Sequence, residues 1–316
     1  MHTLLFQFRA MGGPCSLHLR GDDDAQMERA ARNAIAEVQR IERKFSRYLD
    51  DSVVSRINRS AGLNAVDVDS ETGQLLRFAD QLWHQSGGLF DITSGVLRRA
   101  WNFSIPALPS AQSLADALSL VGWDRVLIDG DQVRLGDVGM ELDFGGFGKE
   151  YAADRAAVVL REAGIPNALV NLGGDLHALG NPSTAPWSID IQHPRPPASN
   201  PLERIAHVSL RQGGLATSGD YERFIEIDGR RCCHILNPLT GWPVNAHQSI
   251  SVLAPNATAA GALTTIAMLK EESGADWLEG QGVSYLAVRQ DGTTGCNSRQ
   301  FQLSSLQSVN TTAAFP

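Results

Sequence analysis

Four segments of this 316-residue chain combine residue types that could do chemistry on a nucleotide. The first is Leu142–Asp154, LDFGGFGKEYAAD. Gly145, Gly146 and Gly148 are expected between a strand ending at Leu142 and a helix beginning near Glu150. Such a loop lets backbone amides approach a phosphate, and the helix dipole helps hold the anion. An ordinary tight turn would use the same glycines. The second segment is Asn171-Leu172-Gly173-Gly174-Asp175, a strand running into paired glycines and an acid, which a plain β-turn also explains. The third is Ala216–Arg223, ATSGDYER, whose small hydroxyl residues beside Asp220 and Tyr221 look more like a site than a core strand. The fourth is His234–Pro243, HILNPLTGWP. A histidine before a Pro/Gly-rich turn is commonly structural.

Together and in this order, the segments resemble the FAD:protein FMN transferase family, also called the ApbE family. The resemblance runs from Met11 to about Leu303. It includes Met11-Gly12, Phe45-Ser46-Arg47-Tyr48 with Asp51-Ser52, Ser55-Arg56-Ile57-Asn58 and Phe90-Asp91-Ile92-Thr93. It continues through the glycine loop, NLGGD, ATSGDYER, HILNPLTGWPV and Ser251-Val252-Leu253-Ala254-Pro255.

The resemblance implies an α+β fold of the ApbE-like flavin transferase kind, with mixed sheets and flanking helices. Members bind FAD and, with Mg2+, move its FMN half to a threonine or serine hydroxyl of a target flavoprotein, releasing AMP. Some relatives instead hydrolyse FAD to FMN and AMP. Both reactions attack one phosphorus of a pyrophosphate, which calls for bound metal charge, a base and rigid positioning. Carried over by position, Met11, Tyr48, Leu89, Phe90, Asp91, Gly145, Tyr151 and Ile235 would contact FAD. Tyr48 has an aromatic ring suited to stacking on a flat heterocycle, with a plain core role as the competing reading. The Gly148 carbonyl and the Thr265 hydroxyl, with Thr264 beside it, would face the metal. His234 is the candidate base, since its ordinary pKa lies near neutrality. Asp220 would orient the acceptor hydroxyl, or else cap its local turn. Lys149 could supply part of the positive charge.

The chain departs from the family pattern around the metal. The family carries an aspartate four residues before the threonine, on the same helix face. Here that position is Gly261, in Ala259-Ala260-Gly261-Ala262-Leu263-Thr264-Thr265. A mid-helix glycine costs about 1 kcal/mol relative to alanine, so the helix gains nothing locally. Asn237 stands for a second acid, and Glu150 stands where glycine is usual. Mg2+ prefers anionic oxygen ligands. Three readings stay open: Glu150 replaces the missing carboxylate, the pyrophosphate and water hold a weakened Mg2+, or the chain binds FAD without transferring FMN.

Elements must position these segments. Leu4–Ala10 and Ser16–Leu19 alternate as two strands around a Met11–Pro14 turn. Asp22–Phe45 reads as a long helix, with apolar residues at three- and four-residue spacing and Asp22–Asp24 at its positive dipole end. Ser70–Ser86 is a second amphipathic helix, and Thr93–Trp101 and Ser110–Val121 are shorter ones. Arg125–Asp129 and Gln132–Leu135 form a hairpin. A helix follows over Tyr151–Glu162. Further strands are expected at Ala168–Leu172, Trp187–Ile191, Ala206–Leu210, Arg223–Ile227 and Ile250–Leu253, then a helix at Ala257–Lys270. A closing hairpin joins Val283–Arg289 to Gly295–Leu303, and Ser308–Pro316 is a frayed tail. Pro194–Pro201 reads as a loop between strands. Residues 1–305 are thus one unit of two lobes, and 306–316 a tail. Strands and helices mix without regular βαβ alternation, which favours α+β over a doubly wound sheet.

Composition excludes several other classes. Hydrophobic residues make up 43% and charged residues 20%, enough to build a core and too apolar for disorder. The formal net charge is −8, and no Lys/Arg cluster suggests nucleic acid as a partner. No apolar run is long enough to span a membrane. Four cysteines without a CxxC fit reduced thiols in a cytoplasmic protein.

Overall fold

The computed structural model describes residues 1–304, so the expected tail at Ser308–Pro316 lies outside the described residues. Its helices are α1 (Asp24–Phe45), α2 (Val53–Arg59), α3 (Ser70–Ser86), α4 (Ala111–Leu118), α5 (Gly148–Glu162), α6 (Ala257–Leu269) and α7 (Gly274–Gly280). An eight-stranded sheet organises them. In sheet order its strands are His2–Ala10, Gly13–Gly21, Ala168–Leu172, Asp175–Leu179, Gly213–Gly219, His247–Ala254, Ser284–Arg289 and Thr294–Cys296. That order is also their order along the chain, and every neighbouring pair is antiparallel. The expected α+β class therefore holds.

Side-chain alternation along the strands builds two interfaces. Val170 and Leu172 join Leu17, Leu19 and the apolar stripes of α1 and α5 in the largest core. Leu169, one residue before Val170, faces the other way. It packs with Leu176, Leu215 and Leu253 against Trp187, Ile189 and Val208 of a three-stranded sheet. The sheet is thus covered by helices on one face and by strands on the other. This explains why Asp175–Leu179 is buried at every position, its polar residues Asp175 and His177 included.

Helix ends follow local chemistry. Asp23, within the acidic run, accepts a hydrogen bond from the Gln26 amide and caps α1, which buries Met27, Ala30, Ala34, Val38 and Ile41. Asn256 caps α6 through the Ala259 amide. α6 is apolar on nearly every side and is buried against the sheet.

The structure corrects several expectations. No strand precedes the glycine loop: the segment to Leu142 is unpaired, held by Asn58, whose side chain exchanges two hydrogen bonds with the Leu142 backbone. α5 begins at Gly148, two residues early. α2 and α7 lack a periodic signal long enough to announce them. The closing hairpin ends at Cys296, and Phe301–Leu303 pairs instead with Arg204–Leu210. Gly213–Gly219, which supplies part of ATSGDYER, is a central strand after all. Its glycines hide the strand signal because α6 needs the room: a Cβ on Gly214 would lie 2.2 Å from the Asn256 carbonyl carbon.

Candidate functional site

One end of the main sheet gathers the segments. Cys15 lies opposite Leu172 and Leu215 opposite Leu176, so the Met11-Gly12 turn, the Gly173-Gly174 turn and the last residues of Gly213–Gly219 share that end. The Gly173 amide donates to the Pro14 carbonyl at 3.1 Å and ties two of these turns together. The first turn of α5 arrives beside them. Lys149 Nζ passes over Gly173 and lies 2.7 Å from Asp175 Oδ2.

A cluster of ionisable groups results. Burial disfavours the Lys149 ammonium, but Asp175 and then Glu150 outweigh it and hold the pKa above its ordinary value. Burial pushes Glu150 well up, and the Asp175 charge pushes it further. Tyr221 is raised to about 12, chiefly by burial and then by Glu222, Asp175 and Asp220. His234 reaches solvent but stands in a crowded recess. The loss of solvation there lowers its pKa, and the charges of Arg223 and Lys149 lower it further. The imidazole is therefore neutral at pH 7. Its Nδ1 lies 3.2 Å from the Arg223 carbonyl oxygen. A carbonyl can only accept, so Nδ1 carries the proton in that bond and Nε2 is the basic atom.

The glycine loop forms the next wall. A Cβ on Gly146 would meet the Phe90 ring at 2.9 Å, so the loop packs directly on that ring. Gly145 is exposed, and its amide donates to Asp143 Oδ1 at 2.9 Å. Asp143 also pairs with Arg47, whose guanidinium donates to Tyr48 Oη at 2.8 Å and stacks on that ring. Tyr48 is 72% exposed, which removes its reading as a core residue. Met11 opens the site at the far side, with a φ of 54° and its amide 2.7 Å from Glu42 Oε1. A non-glycine residue in that backbone region is uncommon.

Several of the other expected contact residues have partners within the fold. Phe90 is buried and stacked near Phe147, and Asp91 accepts from the Thr93 amide and hydroxyl and from the Trp123 amide. These two residues brace the loop from behind, while Leu89 is half-buried beside them. The Tyr151 hydroxyl donates to Glu71 at 2.8 Å, on the α1–α3 side of α5. Ile235 is half-buried, and its carbonyl accepts from the Val244 amide. Asp220 is buried and turned inward, its Oδ2 2.7 Å from both Arg195 and Gln290. It fixes the strand end that carries Ser218 and caps no local turn. Asn237 spends its side chain on the Leu239 and Thr240 amides of its own turn.

α6 contributes hydroxyls. Thr264 is fully buried and shares a 2.8 Å hydrogen bond with Ser218. Thr265 is half-buried, with Oγ1 3.5 Å from the same Ser218 oxygen. α5 meets α6 at Gly261 through Glu150, and again at the start of α6 through Asp154. Asp154 accepts from the Ala257 and Thr258 amides at 2.8 and 2.9 Å. Sequence reasoning passed over Asp154, although it lies four residues after Glu150 and so on the same helix face. Asp143 carried no signal of its own, and Ser218 only that of the small hydroxyl run it belongs to. Among the described residues, no three His, Cys, Asp or Glu side chains converge as a metal group. Mg2+ is commonly bound through one or two carboxylates with water and substrate phosphates, so it does not need such a group. The orphaned buried oxygen Glu150 Oε2 fits such an ion.

Residues 11–287 match the model of the ApbE family. The FAD:protein FMN transferase of Treponema pallidum (strain Nichols) is 32% identical over 283 residues, covering 80% of this chain and 77% of that protein. The FAD:protein FMN transferase of Haemophilus influenzae is 29% identical over 293 residues, covering 87% and 84%. Among solved structures, the ApbE protein of Thermotoga maritima superposes with a TM-score of 0.84 at 30% identity, over 93% of this chain and 97% of that one. The apo flavinyl transferase ApbE of Pseudomonas stutzeri gives 0.82 at 28% identity, over 93% and 94%.

Proposed function

The chain belongs to the ApbE family, and from that premise we propose that it binds FAD and transfers the FMN half to a threonine or serine hydroxyl of a target flavoprotein. The observation that carries this reading is the His234 ring, whose Nδ1 is turned to the Arg223 carbonyl so that Nε2 is left as the basic atom, at the sheet end where the glycine loop opens. The acceptor oxygen attacks the phosphorus of the FMN half. The bond from that phosphorus to the bridging oxygen breaks, AMP leaves with that oxygen, and the hydroxyl proton passes to His234 Nε2. Lys149 offsets phosphate charge from a fixed position. Tyr48, Gly145 and Met11 offer one exposed ring and two turn backbones to the nucleotide. Gly148 and Thr265, with Thr264 beside it, would hold Mg2+, which would neutralise oxygen charge on the pyrophosphate when bound.

Among the described residues no helix is long and apolar enough to cross a membrane. Four free cysteines support a reducing compartment, the cytoplasm.

The test is incubation of the chain with FAD, Mg2+ and candidate flavoprotein acceptors. Covalent FMN on the acceptor, with AMP released in equal amount, is the expected result. FMN and AMP appearing without any acceptor would instead support FAD hydrolysis. Tight FAD binding with no AMP under any condition would overturn transfer.

A further inference from the structure

Glu150 and Gly261 face each other where α5 meets α6, and between them there is room for one side chain. A Cβ built on Gly261 would lie 2.6 Å from Glu150 Cγ and 2.7 Å from its Cδ and Oε1. Non-bonded atoms of a packed interior do not come that close. The space that a side chain at 261 would enter therefore already holds the Glu150 carboxyl group, delivered from the opposite wall.

That carboxyl group is poorly compensated. Glu150 is 7% exposed, and its Oε2 is buried with no hydrogen-bond partner. An unpaired buried acceptor is costly, and a charged one more so. Its strongest charged neighbour is another acid, Asp175. Lys149 does not resolve this, because its ammonium is paired with Asp175 at 2.7 Å. Two acids therefore share one lysine, and among the described residues no other lysine or arginine pairs with either of them. Oxygen donors stand on the elements around it: the Thr265 and Ser218 hydroxyls, 3.5 Å apart, and Gly148 at the start of α5. A hard divalent cation suits an all-oxygen set of this kind.

We infer that Glu150 is the carboxylate ligand of a divalent cation in this chain, supplied from α5 to the place that a residue at 261 would otherwise fill from α6. The inference deepens the FMN-transfer reading and rests on it for the identity of the substrate beside the ion. Ion binding itself can be measured without turnover.

The experiment titrates the full chain with Mn2+, following the free-ion electron paramagnetic resonance signal, with Mg2+ as competitor and with and without FAD. Glu150→Gln should weaken Mn2+ binding roughly tenfold or more, since even groups behind a metal ligand cost 10–100-fold when lost. Thermal melting without metal shows whether that variant is folded. The exchange Glu150→Gly with Gly261→Asp should bring affinity back to near wild type. Gly261→Asp alone should melt lower without binding Mn2+ more tightly. Unchanged Mn2+ affinity in folded Glu150→Gln overturns the inference, as does absence of Mn2+ binding by the wild-type chain with and without FAD. Wild-type transfer of FMN alongside an unchanged Glu150→Gln affinity would leave the reading standing and the inference refuted. Loss of Mn2+ binding in Glu150→Gln by a chain that transfers no FMN would do the reverse.

Discussion

Asp154 on α5 holds the start of α6: its Oδ2 lies 2.9 Å from the amide of Thr258 and also accepts the Thr258 hydroxyl. The contact fixes one helix against the other four residues beyond Glu150. Asp154→Ala should therefore destabilise the fold by about 2 kcal/mol, the upper range for a lost helix cap. The midpoint of urea unfolding reads this directly. The same variant should weaken Mn2+ binding by loosening α6, although Asp154 itself touches no metal.

His234 sets the pH dependence of transfer. Its pKa is lowered below the ordinary 6.5, so the basic form predominates at neutral pH and is lost only as pH falls through that lowered value. The rate should be level from pH 7 upward and fall on the acid side below 6.5. His234→Gln should abolish that acid limb and slow transfer roughly 10²–10⁴-fold. Single-turnover rates across pH 5 to 8, about the range in which an imidazole titrates, decide it.

Tyr48 tests the flavin side of the site. Its ring is 72% exposed and rests against Arg47, so it contributes little to folding. Tyr48→Ala should leave the melting temperature nearly unchanged. It should weaken FAD binding by roughly tenfold, within the 1–3 kcal/mol typical of stacking a base on an aromatic ring. Quenching of FAD fluorescence on titration measures the constant. A full-strength dissociation constant in Tyr48→Ala would place the ring outside the site.

Glu71 predicts the acid stability of the helical layer. Burial works against its charge, but Arg40, Lys44 and the Tyr151 hydroxyl outweigh that and lower its pKa to about 2. A depressed carboxylate stabilises the fold above its unfolded value of about 4.5 and loses that contribution as pH falls toward 2. Glu71→Gln should melt lower than wild type at pH 7, and the two curves should converge between pH 4.5 and 2. Parallel curves down to pH 2 would refute the assignment.

The sequence made the long helices legible because an amphipathic stripe repeats over several turns, as in α1 from Met27 to Ile41. It made the chemistry of the site legible through residue types: a histidine, a lysine after glycines, and hydroxyls in small-residue runs. What it hid was direction. Tyr151 and Glu150 are adjacent in the chain, yet α5 turns one toward Glu71 and the other toward Gly261. Asp91 and Asp220 look like site acids, but Asp91 spends both oxygens on Thr93 and Trp123, and Asp220 turns one of its oxygens to Arg195 and Gln290. Gly213–Gly219 shows no strand pattern because Gly214 answers to the start of α6 and Gly219 to the Tyr221 ring. Most of these depend on long-range contacts that no local window contains.

Strand order in the main sheet equals chain order, which bears on how the protein is made. A nascent chain can add each strand to the edge just completed, from His2 onward, without threading back. Glu150 leaves the ribosome more than a hundred residues before α6, so its carboxylate first faces water and is ionised there. Only when α6 docks through Asp154 is that acid enclosed. The place proposed for the ion is thus among the last parts of the fold to close, and a chain stalled before residue 257 would have the glycine loop without the wall that faces Glu150.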